Sequence, residues 1–122
     1  MNVFIAEDQT WFLEQLIELV ESIPGAQVIG TADTSQNAIE AIRLAKPDVA
    51  LVDLMLREGT GFEILRRLRA DAVNCKLFVV TSFPTAGIRK ACKIGGADEF
   101  FDKLLELDEL HQTLQTLSTT LG

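Results

Sequence analysis

The strongest constraint on how this chain can fold is an alternation. Short, continuous apolar runs take turns with longer stretches whose apolar residues recur every three or four positions. Residues 2–7 read as a strand built on Val3-Phe4-Ile5-Ala6. A continuous rather than alternating run marks a strand covered on both faces. From Trp11 a helical stripe follows at Leu13, Leu16, Ile17, Val20 and Ile23, with Asp8-Gln9-Thr10 placed to cap it and Pro24-Gly25 to stop it. Val28-Ile29-Gly30 is a second strand. Thr34 or Ser35 caps a second helix with Ala38, Ile39, Ile42 and Ala45 along one side, ending at Lys46-Pro47.

The pattern then repeats. A third strand over 48–53 leads into a loop over 55–61 and a helix over about 62–70, with Phe62, Ile64, Leu65 and Leu68 as its apolar side. A fourth strand covers 76–81. Pro84 fits the first turn of a helix over about 85–94, which Gly95-Gly96 ends. A short fifth strand over 98–102 precedes a last helix over about 107–117, striped by Leu107, Leu110, Leu114 and Leu117. Parallel strands need crossovers and both sheet faces need cover. Five such units therefore predict an α/β domain, a five-stranded parallel sheet with helices on both faces. At 122 residues, 48% of them hydrophobic, one domain over 1–122 is expected, with no effector domain inside it.

Charge and composition narrow the function. A net charge of −7 and the lack of a dense Lys/Arg run argue against direct binding to nucleic acid. No apolar stretch approaches a membrane span and no signal segment opens the chain, so a cytoplasmic location is expected. The two cysteines, Cys75 and Cys92, lack metal-ligand spacing and read as free thiols.

In open parallel sheets, ligands sit beyond the carboxyl ends of the strands. Glu7 and Asp8 end the first strand, Asp53 the third, Thr81-Ser82 the fourth and Asp102-Lys103 the fifth. Three carboxylates, a hydroxyl and an ammonium thus meet at one edge. Crowded carboxylates resist ionising together, and a hard divalent cation relieves them. Mg²⁺ suits the set, because it takes a few carboxylates, keeps waters and shares its shell with phosphate. One carboxylate can then act as a nucleophile toward a phosphoryl donor. Taken one at a time, the same residues serve as readily as a helix cap, a turn acid, a strand terminus or a surface lysine.

Together, Ile5-Ala6-Glu7-Asp8, the stretch Pro47 to Leu54, Gly61-Phe62-Glu63, Val79-Val80-Thr81-Ser82 and the stretch Gly96 to Lys103 resemble the response-regulator receiver domains, in order and spacing, over nearly the whole chain. The resemblance implies the flavodoxin-like (βα)5 fold with strand order 2-1-3-4-5. It implies Asp53 as phosphoacceptor and Mg²⁺ held by Glu7, Asp8, Asp53 and the backbone carbonyl of Met55. Thr81 and Lys103 would bind phosphoryl oxygens, and Thr81 with Phe100 would form the switch. The implied donor is a histidine kinase or phosphotransfer protein. The implied output is an effector protein, or an output domain outside these residues, acting through the fourth helix, fifth strand and fifth helix. The expected chemistry of the chain itself is limited to self-phosphorylation and slow loss of phosphate.

Three positions depart from the family pattern. Leu104 follows Lys103 where proline is usual, which predicts a trans bond, or a strained cis one, and some displacement of Lys103. Arg57 stands where proline is frequent, which predicts a less rigid loop and an extra cation near the site. Phe100 replaces the common tyrosine and carries no hydroxyl. Met55 and Phe83 are expected to flank the phosphoryl position and hinder water. Trp11 is placed at the rim of the site or in simple helix packing, and His111 on the surface. Arg89, Lys90 and Lys93 face an acidic stretch, Glu99, Asp102, Glu106, Asp108 and Glu109, which suits a symmetric dimer through that face.

Two other classes compete. A Mg²⁺-dependent phosphatase with an aspartyl nucleophile would want a second aspartate where Met55 stands. A flavodoxin-like cofactor binder would want a phosphate-cradling loop where Glu7-Asp8-Gln9 stands. A degenerate receiver, acting without phosphorylation, is opposed by the intact Glu7, Asp8, Asp53, Thr81 and Lys103.

Overall fold

The computed structural model describes residues 1–121 and alternates strand and helix throughout. The elements are β1 (Asn2–Ala6), α1 (Thr10–Glu21), β2 (Gln27–Ala32), α2 (Ser35–Ala45), β3 (Val49–Val52), α3 (Gly61–Ala70), β4 (Lys76–Thr81), α4 (Ala86–Ile94), β5 (Glu99–Asp102) and α5 (Leu107–Leu121). The five strands form one parallel sheet in the order β2-β1-β3-β4-β5, as expected.

Successive side chains of a strand point to opposite faces, and the two halves of the core divide on that rule. Phe4, Ala6, Ala50, Val52, Leu77 and Val79 pack under α2, α3 and α4 with Ile39, Ile42, Ile64, Leu65 and Leu68. Val3, Ile5, Val49, Leu51, Phe78, Val80 and Phe101 pack under α1 and α5 with Phe12, Leu16, Val20, Leu110 and Leu114. Phe100 and Phe101 therefore belong to different layers: Phe100 leans on the α4 side, and Phe101 meets Phe78 on the other, ring centroids 5.8 Å apart.

Several local expectations are corrected. The α1 stripe runs through Phe12, Leu16 and Val20, while Leu13 and Ile17 lie only partly covered. Of Asp8-Gln9-Thr10, it is Gln9 that takes the cap position of α1, and it makes no side-chain cap bond. Ile64, Leu65 and Leu68 are buried as expected, but Phe62 points outward at 38% exposure, because it lies off the i, i+3, i+4, i+7 face that they share with Gly61. Pro84 precedes the α4 cap, Thr85, whose hydroxyl accepts from the Ile88 N–H at 3.2 Å. β2 and α5 are both longer than the sequence suggests. Ser118 Oγ ties the extra α5 turn to the Pro24 carbonyl at 3.1 Å. Among the described residues no helix is long and apolar enough to cross a membrane. Both cysteines are free and buried, as expected.

Candidate functional site

The parallel register sets Ala6 beside Val52, Val52 beside Val79, and Thr81 beside Asp102. The residues that follow these strands must then gather along one edge. The backbone continues the ladder just far enough to fix them. Glu7 N–H donates to Ala32 at 3.0 Å, Asp53 N–H to Ala6 at 3.0 Å, and Lys103 N–H to Thr81 at 2.9 Å. Ligand oxygens of Glu7, Asp8 and Asp53 come to lie within 4.8 Å of one another. Glu7 and Asp53 are buried, and Asp8 is exposed.

Lys103 sits between the two buried carboxylates. Its Nζ is 2.9 Å from Glu7 Oε1 and 2.9 Å from Asp53 Oδ2. The Lys103–Leu104 bond is trans, the first of the two alternatives, and Lys103 is not drawn away from the site. The Leu104 side chain instead turns out to solvent, and the Leu104 N–H bonds Asp102 Oδ1 at 2.8 Å. Two further contacts hold the ammonium. Gln9 Oε1 accepts from it at 3.3 Å, and the Phe12 ring lies beneath it at 4.5 Å to the centroid. Burial works against the charge on Lys103, but the hydrogen bond to Asp53 and the close carboxylate of Glu7 outweigh it and hold its proton more tightly than usual.

Glu7 is the strained member. Burial first, and then the neighbouring Asp53 carboxylate, push it from 4.5 up to about 7. Its Oε2 accepts from the Gln9 N–H at 3.1 Å. Its buried Oε1 faces Lys103 without a well-angled hydrogen bond. An under-satisfied, buried carboxylate oxygen among hard oxygen donors, with Asp8 open to water, fits a divalent cation of the Mg²⁺ type.

Thr81 is fully buried, and its hydroxyl accepts from the Phe83 N–H at 3.4 Å. Met55 and Phe83 are exposed at the mouth of the site, and Trp11, 59% exposed, touches Phe12 edge-on, the ring centroids 5.5 Å apart. His111 lies well away from the cluster, on α5, 3.4 Å from Ser22 Oγ.

The loop after Asp53 is not slack, contrary to the expectation drawn from Arg57. Arg57 N–H bonds the Asp33 carbonyl at 3.0 Å, and Ser35 N–H bonds the Glu58 carbonyl at 2.9 Å. The Arg57 guanidinium forks the Asp33 carboxylate at 2.9 and 3.2 Å. The stiffness that proline would supply locally comes here from the neighbouring β2–α2 loop. Gly61 closes the other end, since a Cβ there would meet the Asp53 carbonyl at 2.5 Å. On the far side, Arg89 lies over the Phe100 ring at 4.6 Å and donates to Glu106 Oε1 at 2.6 Å. Two of the charges that suit a dimer are therefore paired within the chain.

Phe12 and Asp33 escaped the sequence reading, and so did the parts that Gln9 plays as a partner of Lys103 and Gly61 as a close neighbour of the Asp53 backbone. Phe12 was recoverable as the start of an i, i+4, i+8 row with Leu16 and Val20. The others depend on loop paths, which periodicity does not report.

The model of the response regulator receiver domain family matches residues 3–115, and this chain belongs to that family. It is 34% identical over 111 residues to a cyclic di-GMP phosphodiesterase of Thermotoga maritima, covering 90% of this chain and 29% of that protein. It is 31% identical over 96 residues to the transcriptional regulatory protein DesR of Bacillus subtilis, covering 78% of this chain and 47% of that protein. Among solved structures, the signal receiver domain of a DNA-binding response regulator from Colwellia psychrerythraea superposes with a TM-score of 0.86 at 27% identity, covering 96% of this chain and 97% of that one. The chain spans about half or less of the length of these curated relatives. Receiver domains are signalling modules of two-component systems, and they bind Mg²⁺ at an acidic pocket of this kind.

Proposed function

We propose that this receiver domain takes a phosphoryl group on Asp53. The observation that carries the reading is the placement of Asp53, its Oδ2 2.9 Å from Lys103 Nζ and its carboxylate clustered with Glu7 and Asp8. A carboxylate oxygen of Asp53 attacks the phosphorus of a phosphohistidine on a histidine kinase or phosphotransfer protein. The P–N bond breaks, the imidazole leaves with its electron pair and takes up a proton, and an acyl phosphate forms.

Glu7, Asp8, Asp53 and the Met55 carbonyl would hold Mg²⁺, which when bound neutralises charge on the phosphoryl oxygens. Lys103 already touches Asp53 and needs only to keep its ammonium on the oxygen side of the new group. Thr81 offers its hydroxyl from the next strand. Met55 and Phe83 shield the acyl phosphate from water, so that it is lost slowly.

The new charge is read out by Thr81 and Phe100. Thr81 turning toward the phosphoryl group vacates space on the α4 side of the sheet, where Phe100 already leans. The α4–β5–α5 face then changes for an effector protein, an output domain outside these residues, or a second copy of the chain. A cytoplasmic setting follows from that role. Met55, standing where an aspartyl phosphatase would need its acid, supports a switch over an enzyme.

Incubation with a small phosphodonor and Mg²⁺, read by intact mass, tests this. One phosphoryl group is expected on the wild type and none on Asp53→Ala. No gain by the wild type overturns the reading.

A further inference from the structure

One ion pair beside the acidic site plays no part in the phosphoryl chemistry. Asp33, just past β2, lines the same recess of about 250 Å³ as Glu7 and Asp8. Arg57 holds Asp33 through Nε to Oδ2 at 2.9 Å and a second guanidinium nitrogen to Oδ1 at 3.2 Å. Glu58 Oε1 lies 3.5 Å from the same guanidinium. Asp8 is also among the charges that act on Arg57. Among the described residues, Asp8 has no ion-pair partner of its own. Both members of the Arg57–Asp33 pair are about half exposed, so the pair adds little to stability. Its charge still acts on whatever enters the recess.

We infer that Arg57 is a resident cation at the mouth of the acidic site, parked on Asp33, and that it sets how tightly the site takes a divalent cation. The inference rests on the reading of Glu7, Asp8 and Asp53 as the metal site. Asp33 acts twice in one direction: it adds negative charge to the recess, and it keeps the guanidinium occupied rather than free to move onto Asp8. Arg57 acts in the opposite direction, as a positive charge that an incoming cation must approach. The two halves of a single ion pair therefore change the affinity with opposite signs. A purely structural tie behaves differently, because cutting it from either side frees the loop that carries Met55 and weakens binding both times.

Calorimetric titration of the intact chain with Mg²⁺, at low and at high salt, separates these cases. The set is the wild type, Arg57→Gln, Asp33→Asn, Arg57→Lys and the double variant Asp33→Asn/Arg57→Gln, each checked by thermal melting for folding. At low salt Arg57→Gln should bind roughly three- to tenfold tighter and Asp33→Asn looser by a similar factor, the scale of one unit charge acting on a divalent ion through a watery recess. Arg57→Lys keeps the charge and should stay within about twofold of the wild type. The double variant restores the net charge and should also lie close to the wild type. The differences should largely vanish at about 1 M salt. Weaker binding by both single variants, or changes under about twofold in both, overturns the inference while leaving the metal site intact. Failure of the wild type itself to take up Mg²⁺ overturns the metal-site reading beneath it.

Discussion

Replacing Glu7 by glutamine should make the metal-free protein more stable at alkaline pH and no more stable in acid. The Glu7 side chain is about 1% exposed, and its proton affinity rises from 4.5 in the unfolded chain to about 7 in the fold. Below about pH 4.5 the group is protonated in both states and costs nothing. Between 4.5 and 7 the unfolded chain releases the proton while the folded one retains it, so stability falls as pH rises. Above about 7 the whole penalty is present. At about 1.4 kcal/mol for each tenfold change in proton affinity, that penalty is about 3 kcal/mol. Glutamine removes the charge but must offer one oxygen to two donors, Lys103 and the Gln9 N–H, and returns about 1 kcal/mol. The net gain is about 2 kcal/mol at pH 8 in chelator. Urea unfolding at pH 4.5 and pH 8 measures it. The gain should also shrink in millimolar Mg²⁺, because only the wild type has the carboxylate that a cation rewards. A Glu7→Gln protein less stable than the wild type at pH 8 in chelator would refute the claim that this carboxylate is held against its own solvation.

Three further perturbations test the surroundings. Lys103→Met leaves Glu7 and Asp53 buried without their shared cation and should cost about 3 kcal/mol at pH 8 in chelator, by urea titration; saturating Mg²⁺ should recover part of it. Gly61→Ala drives a methyl group against the Asp53 carbonyl and the Leu54 Cα and should cost about 1–3 kcal/mol, seen as a Tm several degrees lower. Arg89→Ala removes the cation over Phe100 and the main cause of the lowered Glu106 proton affinity, so the Glu106 carboxyl should titrate closer to its ordinary range by NMR.

How much of this was legible in the sequence follows from where each signal lies. β1, β3 and β4 are covered on both faces and show as unbroken apolar runs, so their ends, and with them Glu7, Asp53 and Thr81, could be placed. β2 is an edge strand whose residues alternate between exposed and half-buried, so Gln27, Thr31 and Ala32 gave no run to read. Lys103 was legible because β5 is short and ends beside it. Phe12 was hidden by its neighbours Trp11 and Leu13, apolar residues that point away from the deepest core. The Arg57–Asp33 tie joins two loops 24 residues apart, a distance at which no periodicity informs. The change from proline to arginine was read as lost stiffness because the partner loop could not be seen.

The central claim is that Asp53 is the residue that carries the phosphoryl group. Borohydride reduction of the phosphorylated protein cleaves the acyl phosphate and leaves homoserine in place of the modified aspartate, which peptide sequencing by mass spectrometry locates. Homoserine at position 53 alone, and only when both Mg²⁺ and phosphodonor were present, is the predicted result. Homoserine at position 8 or at another acid, or none in a protein that had gained phosphoryl mass, would contradict the account.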